Sequence, residues 1–210
     1  MGSEGIFDLA RKEIEADDKI REKVLPLVRL AVRKCSESIK HSHRKQYDIA
    51  RAAVKESQNL IEEARKEMEP SEYLGKSRIL DTAYQELAEA TNLLSILEQG
   101  SLTPLDAFNI PSRPFLTGLA DTIGELRRAT LERLREGLTD DARGLLKLME
   151  EIFEELNSFD FPNSLVPDLR RKCDVARGII ERTRGDVTAA VRQDRLINEI
   201  GRFEERLKRE

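Results

Sequence analysis

The chain has very few cysteines. Cys35 and Cys173 are far apart, and neither belongs to a Cys-x-x-Cys spacing. That excludes a zinc ribbon and a disulfide-stapled scaffold, and it leads us to expect two reduced thiols in or near a core, as in a cytoplasmic protein. No apolar run approaches the roughly 20 residues that span a bilayer, so no membrane partner is expected. A secretory leader is not expected either, because charges begin at Glu4 and recur throughout. The chain also lacks a strong charge of one sign. Its net charge of −4 gives no global attraction to nucleic acid, so any such contact must come from a local basic patch. Strand-like alternation, internal repeats and low-complexity segments are missing too.

What the chain does have is helix-forming sequence. In 210 residues, 39% are hydrophobic and 36% charged, a balance that suits long amphipathic helices around one core. The 3.6-residue periodicity predicts an all-α protein. A first helix covers about residues 5–42, with Ile14, Ile20, Val24, Leu27, Val28, Ala31, Cys35 and Ile39 on its stripe; Pro26 should kink it or mark a junction. A second runs to Met68, where Pro70 stops the chain and Ser71 can cap a third helix over 72–99 ending at Gly100. "SLTPLDAFNIPSRP" is the most loop-like stretch. A fourth helix over 113–137 ends at Gly137. Thr139 and Asp140 can cap a fifth over 140–158, and "NSFDFPNSLVP" turns the chain into a last helix from about Val166. Gly185 is expected to interrupt that helix, leaving a separate charged one. We therefore expect a helical domain over residues 1–187 and a charged extension over 188–210.

Within this pattern, "YQELAEATNLL" stands out. Its only charges are Glu86 and Glu89, three residues apart and therefore about 60° apart around a helix. Apolar positions flank them on both sides: Leu80, Ala83, Leu87 and Leu94 on one, Ile79, Ala90, Leu93 and Ile96 on the other. A carboxylate in such company must be protonated, paired with a cation, or bound to a metal. A second pair, Asp121 and Glu125, lies four apart in "FLTGLADTIGEL", opposite Leu116, Leu119, Ile123 and Leu126. Gly118 and Gly124 flank it. Each costs a helix about 1 kcal/mol relative to alanine, which suggests that another helix or a ligand comes close. Were the two helices antiparallel neighbours, four carboxylates could converge into an oxygen-only site suited to Mg²⁺ or Mn²⁺. Against this, the chain carries 40 acidic residues, and pairs such as Glu151 with Glu154 or Glu69 with Glu72 arise at the same spacings by accident.

The most cationic stretch is "KHSHRKQYDIARAAVK", with Lys40, Arg44, Lys45, Arg51 and Lys55, preceded by Arg33 and Lys34. It could hold the phosphates of a polyanion such as RNA, although a solvated helix face is the commoner use of such a run. His41 and His43 fall in its polar turn. "DLRRKCDVARGIIERTR" near the C-terminus is basic but more mixed.

"QELAEA" followed by "FLTGLADTIGEL" resembles the translin superfamily, in particular its branch of translin-associated factor X. "RLAVRKCSESIKHSHR" and "LRRKCDVARGIIERTRGDV" are similar to that family's first and last helices. The resemblance covers about residues 15–187, and the second acidic motif is its most specific part. It implies a bundle of about seven helices that assembles into a closed, barrel-like homo-octamer. It also implies a metal-dependent endoribonuclease cleaving single-stranded or mismatched RNA, with Glu86, Glu89, Asp121 and Glu125 as catalytic residues and ligands of Mg²⁺ or Mn²⁺. By the same analogy Arg44, Lys45 and Arg51 would contact RNA, and single-stranded DNA is a further partner. The chain departs from the branch in lacking the long loop that its eukaryotic members carry between the acidic motifs. That compactness suggests an archaeal-type relative with an active site in every subunit. Two alternatives stand beside this reading. One is a non-catalytic translin-like binder of RNA or single-stranded DNA. The other is an all-α nucleotide pyrophosphohydrolase, whose second motif is usually Glu-x-x-Asp rather than the Asp-x-x-x-Glu present here.

Overall fold

The computed structural model describes residues 3–208 and, among them, seven helices and no strand. They are α1 (Ser3–His43), α2 (Tyr47–Met68), α3 (Glu72–Gly75), α4 (Asp81–Gln99), α5 (Ser112–Arg135), α6 (Thr139–Ser158) and α7 (Leu169–Leu207). The expected fold is therefore all-α as read. The expected outer domain limits at residues 1 and 210 lie outside the described residues. No helix among the described residues is long and apolar enough to cross a membrane. The chain divides into two compact units, one ending at Leu119 and the other starting at Ala120.

In the first unit, α1, α2 and α4 pack on one another. Small residues allow close approach: Ala31 and Cys35 on α1, Ala50, Ala53 and Ala64 on α2, and Ala83, Ala88 and Ala90 on α4 are all buried. α1 and α2 run antiparallel, since Cys35 is level with Ser57 (Sγ to Oγ 3.0 Å) while Lys23 reaches Glu67. The Ser57 hydroxyl donates to the Ala31 carbonyl at 3.0 Å. Pro26 does not end α1. It is exposed, so the backbone carbonyl that lost its partner is beside water, and the helix runs on through it. From Phe7 onward, the first buried residue of α1 is Val24.

Fully buried Asn92 ties the following loop to α4. Its Nδ2 donates to the Ala88 carbonyl at 2.8 Å and its Oδ1 accepts from the Thr103 N–H at 3.1 Å. The Thr103 hydroxyl donates to the Thr91 carbonyl at 3.1 Å. These bonds satisfy polar groups that burial would otherwise penalise.

The second unit joins the remainder of α5 to α6 and α7. Leu126, Met149, Ile152, Leu156, Cys173, Ala176 and Ile180 form its core. α6 and α7 are antiparallel: Arg184 pairs with Glu150 at 2.7 Å, and the Arg177 guanidinium lies 5.5 Å from the Phe153 ring centre. α7 is held to α5 by Arg127, which reaches Asp186 and Thr183, both at 2.9 Å.

Three sequence expectations need correction. The helix expected over 72–99 is two helices, α3 and α4. The Ser77 hydroxyl donates to the Leu74 carbonyl at 2.6 Å, competing with helix continuation just after Gly75, and Arg78 bonds Asp81 across the break. α6 is not capped by Thr139 or Asp140. Its N-cap is Leu138, which offers no side-chain bond, and Thr139 is already helical. Gly185 does not interrupt α7, because buried Thr183 and Val187 on either side keep the helix packed, and one glycine costs only about 1 kcal/mol. The helix ends at Gly100 and Gly137 do follow the sequence, both residues having φ near +75°.

Candidate active site

Glu86 and Glu89 sit half-buried on α4, interleaved with the fully buried Leu87, Ala88 and Ala90. Both carboxylates are near enough to act on the Cys35 thiol of α1. Burial pushes that thiol up to about 12 from its ordinary 9.0; the Ser57 hydrogen bond opposes the shift, and the charges of Glu86 and then Glu89 add to it. The acidic pair therefore lies within electrostatic reach of a buried position on α1. Two consequences can be checked. Cys35 should resist alkylation at pH 8 in the folded protein and react only as the chain unfolds, measured by mass spectrometry along a urea series. Because the folded value lies above the ordinary one, the thiol's contribution to stability is complete below about pH 9 and is lost as pH rises toward 12.

α5 approaches α4 at Gly118. A Cβ added there would lie 2.3 Å from the Gln85 carbonyl oxygen and 2.7 Å from the Ala88 Cβ. The expectation that a flanking glycine marks a close approach holds here. It does not hold at Gly124, where an added Cβ meets nothing within 4 Å.

In the second unit, Asp121 and Glu125 share the less buried face of α5, with side chains 29% and 26% exposed, opposite buried Ile123 and Leu126. Glu125 lies 3.7 Å from Arg128. Asp121 is gripped by a residue of α7 that the sequence reading did not single out: the Lys172 ammonium donates to Oδ1 at 2.6 Å and Oδ2 at 2.5 Å. A signal for it existed. Lys172 lies three residues after Leu169 and four before Ala176, on the buried stripe of α7.

The structure thus brings Glu86 together with Glu89 in one unit and Asp121 together with Glu125 in the other. Neither unit, among the described residues, groups three or more His, Cys, Asp or Glu side chains in a metal-holding cluster.

Of the basic residues expected to touch RNA, Arg44 and Lys45 form the exposed turn between α1 and α2, with Lys45 in the left-handed conformation (φ 59°). Arg51 lies on α2 with its guanidinium between Asp48 and Glu98, so its charge is already answered within the protein. His41 and His43, expected in the turn, lie instead in the last turn of α1, where His41 contacts Gln46, Nδ1 to Oε1 at 2.8 Å.

Fold and site together define an all-helical protein carrying two half-buried acidic pairs on successive long helices. The chain belongs to the Translin family, whose sequence profile matches residues 10–183. It is 31% identical over 192 residues to an uncharacterized protein of Methanocaldococcus jannaschii, covering 89% of this chain and 83% of that one. Among solved structures it is similar to AfC3PO. In the AfC3PO–duplex RNA complex the identity is 35% and the TM-score 0.77, over 88% of this chain and 95% of that one. AfC3PO alone gives 36% and 0.77, over 88% and 96%. Apo-NeC3PO shares the fold, with a TM-score of 0.76 at 20% identity over 90% and 98% of the two chains.

Proposed function

We propose that this Translin-family chain is a metal-dependent endoribonuclease acting on single-stranded or mismatched RNA. The observation that carries the reading is the pair Glu86 and Glu89, half-buried on a helix whose neighbouring residues are fully buried. Carboxylates placed there need polar or cationic company, and a bound divalent cation would supply it. The donor set suits a hard divalent ion, since Glu86, Glu89, Asp121 and Glu125 offer oxygen ligands alone. The Lys172 ammonium seated on both oxygens of Asp121 is a stand-in cation. In this reading those four residues hold Mg²⁺ or Mn²⁺, which supplies water activation and charge neutralisation at the phosphoryl group when bound. One carboxylate of the set takes the proton of the attacking water. In the same reading Arg44 and Lys45, exposed in their turn, meet backbone phosphates, and Arg51 does so only if it leaves Asp48 or Glu98. RNA as the partner is supported by AfC3PO, which has been solved with duplex RNA. Single-stranded DNA is a second candidate ligand of the same backbone chemistry. Assembly into a barrel-like homo-octamer belongs to the same proposal, as does a cytoplasmic location, which suits two free buried thiols.

The test is cleavage of an end-labelled single-stranded RNA. Cutting is expected with Mg²⁺ or Mn²⁺ and should stop with EDTA. RNA bound but never cut under any metal would replace the enzyme with a binding module. Hydrolysis of nucleoside triphosphates without RNA cleavage would favour the pyrophosphohydrolase alternative.

A further inference from the structure

We propose that Lys172 is the built-in counter-cation of the carboxylate site: its ammonium holds the place on Asp121 that a divalent ion takes, and it leaves when the ion arrives. The inference rests on the proposed metal-binding role of Asp121 and adds a residue, and a control on affinity, to it.

The geometry is that of a chelated cation. With Nζ at 2.6 and 2.5 Å from the two carboxylate oxygens, the ammonium lies close to the plane midway between them and contacts both. A divalent ion bound by both oxygens sits between them at a shorter distance, and two positive charges cannot both sit against the one carboxylate. Burial makes the contact matter. The Lys172 side chain is only 14% exposed and Asp121 29%, so Asp121 needs a cation against it, while a displaced lysine can extend its long stem to carry its ammonium into water. Lys172 stands apart from the other charges at the start of α7. Arg170 pairs with Asp160, Arg171 with Asp168 and Asp174 with Arg177, all of them surface pairs. Lys172 alone among these four basic and acidic neighbours crosses to α5. Its flexible stem can withdraw without moving either helix, because Arg127 holds α5 to α7 independently through Asp186 and Thr183.

The competing view is that Lys172 is a plain helix clasp. The two views differ in sign. A clasp that positions Asp121 weakens metal binding when removed, whereas a competing cation strengthens it. The measurement is calorimetric titration with Mn²⁺ alone, on wild type, K172Q, K172R and D121N. K172Q is expected to bind Mn²⁺ on the order of tenfold more tightly than wild type, K172R no more tightly, and D121N to lose most of the affinity. Equal or weaker binding by a folded K172Q, with wild type binding normally, overturns the counter-cation role and leaves the metal site standing. Failure of wild type itself to bind Mn²⁺ overturns the metal reading and this inference with it. A second measurement needs no variant. Saturating Mn²⁺ should raise labelling of Lys172 by an amine-directed acetylating reagent several-fold, read by mass spectrometry of its peptide. Labelling unchanged under conditions where Mn²⁺ is bound also refutes the displacement.

Discussion

Replacing Gly118 with alanine should destabilise the protein by about 2 kcal/mol, and replacing it with leucine should prevent folding of the first unit. In most helices the first change would help, since alanine is favoured over glycine by about 1 kcal/mol. Here the new Cβ meets the Gln85 carbonyl oxygen at 2.3 Å and the Ala88 Cβ at 2.7 Å. Neither is the loose end of a flexible side chain. Gln85 and Ala88 belong to the helical backbone of α4, so relief requires one helix to move away from the other, and the fully buried Leu87 and Ala88 lose contacts as it does. The clash therefore outweighs the propensity gain. Gly124→Ala is the internal control. It lies on the same helix in open space, and should gain a few tenths to about 1 kcal/mol. Urea denaturation of the two variants beside wild type measures both signs. If Gly118→Ala were as stable as Gly124→Ala, the close packing of α5 on α4 at this point would be wrong.

The contrast between the two glycines shows what periodicity can and cannot read. Spacing placed both on the α5 helix beside the acids, and sequence alone weighted them equally. What separates them is a neighbour from another element, which no local pattern encodes. The same holds elsewhere. Helix existence was legible because buried residues recur at 3.6-residue intervals, and the ends at Gly100 and Gly137 were legible because left-handed φ favours glycine. The break at 76–80 was not, since it depends on the Ser77 hydroxyl choosing the Leu74 carbonyl. Continuity through Gly185 was not either, since it depends on Thr183 and Val187 being buried. Both acidic pairs could be found from their spacing, but Lys172 was hidden in a stretch whose other charges answer one another on the surface. Its spacing from Leu169 and Ala176 was the one sequence mark of the lysine that turns inward, and the fold supplies its partner. The division after Leu119 carries no compositional mark, because it falls inside α5.

Glu86→Gln, Glu89→Gln, Asp121→Asn and Glu125→Gln should each lower metal-dependent RNA cleavage by 10²- to 10⁴-fold, which is on the order of the several kcal/mol that a catalytic cation contributes to a phosphoryl transition state. The amides keep the shape of the side chains and remove the charge, so the fold should survive. Circular dichroism and unchanged resistance of Cys35 to alkylation would report that for the α4 pair. The decisive comparison is with acids at the same spacing that lack the same surroundings. Glu151 and Glu154 also lie three apart on a helix, but Glu151 is exposed and paired with Lys147 at 3.3 Å. An exposed ion pair of this kind contributes little, and Glu151→Gln should leave the rate within about twofold of wild type. If spacing alone made a site, the two sets would behave alike. If burial beside apolar neighbours makes it, only the first four will matter. Two or more of those four leaving the rate unchanged would remove them as the catalytic set, whatever the family resemblance implies. A rate lost at Glu86 and Glu89 but kept at Asp121 and Glu125 would confine the chemistry to α4, and Lys172 would then be a helix clasp and nothing more.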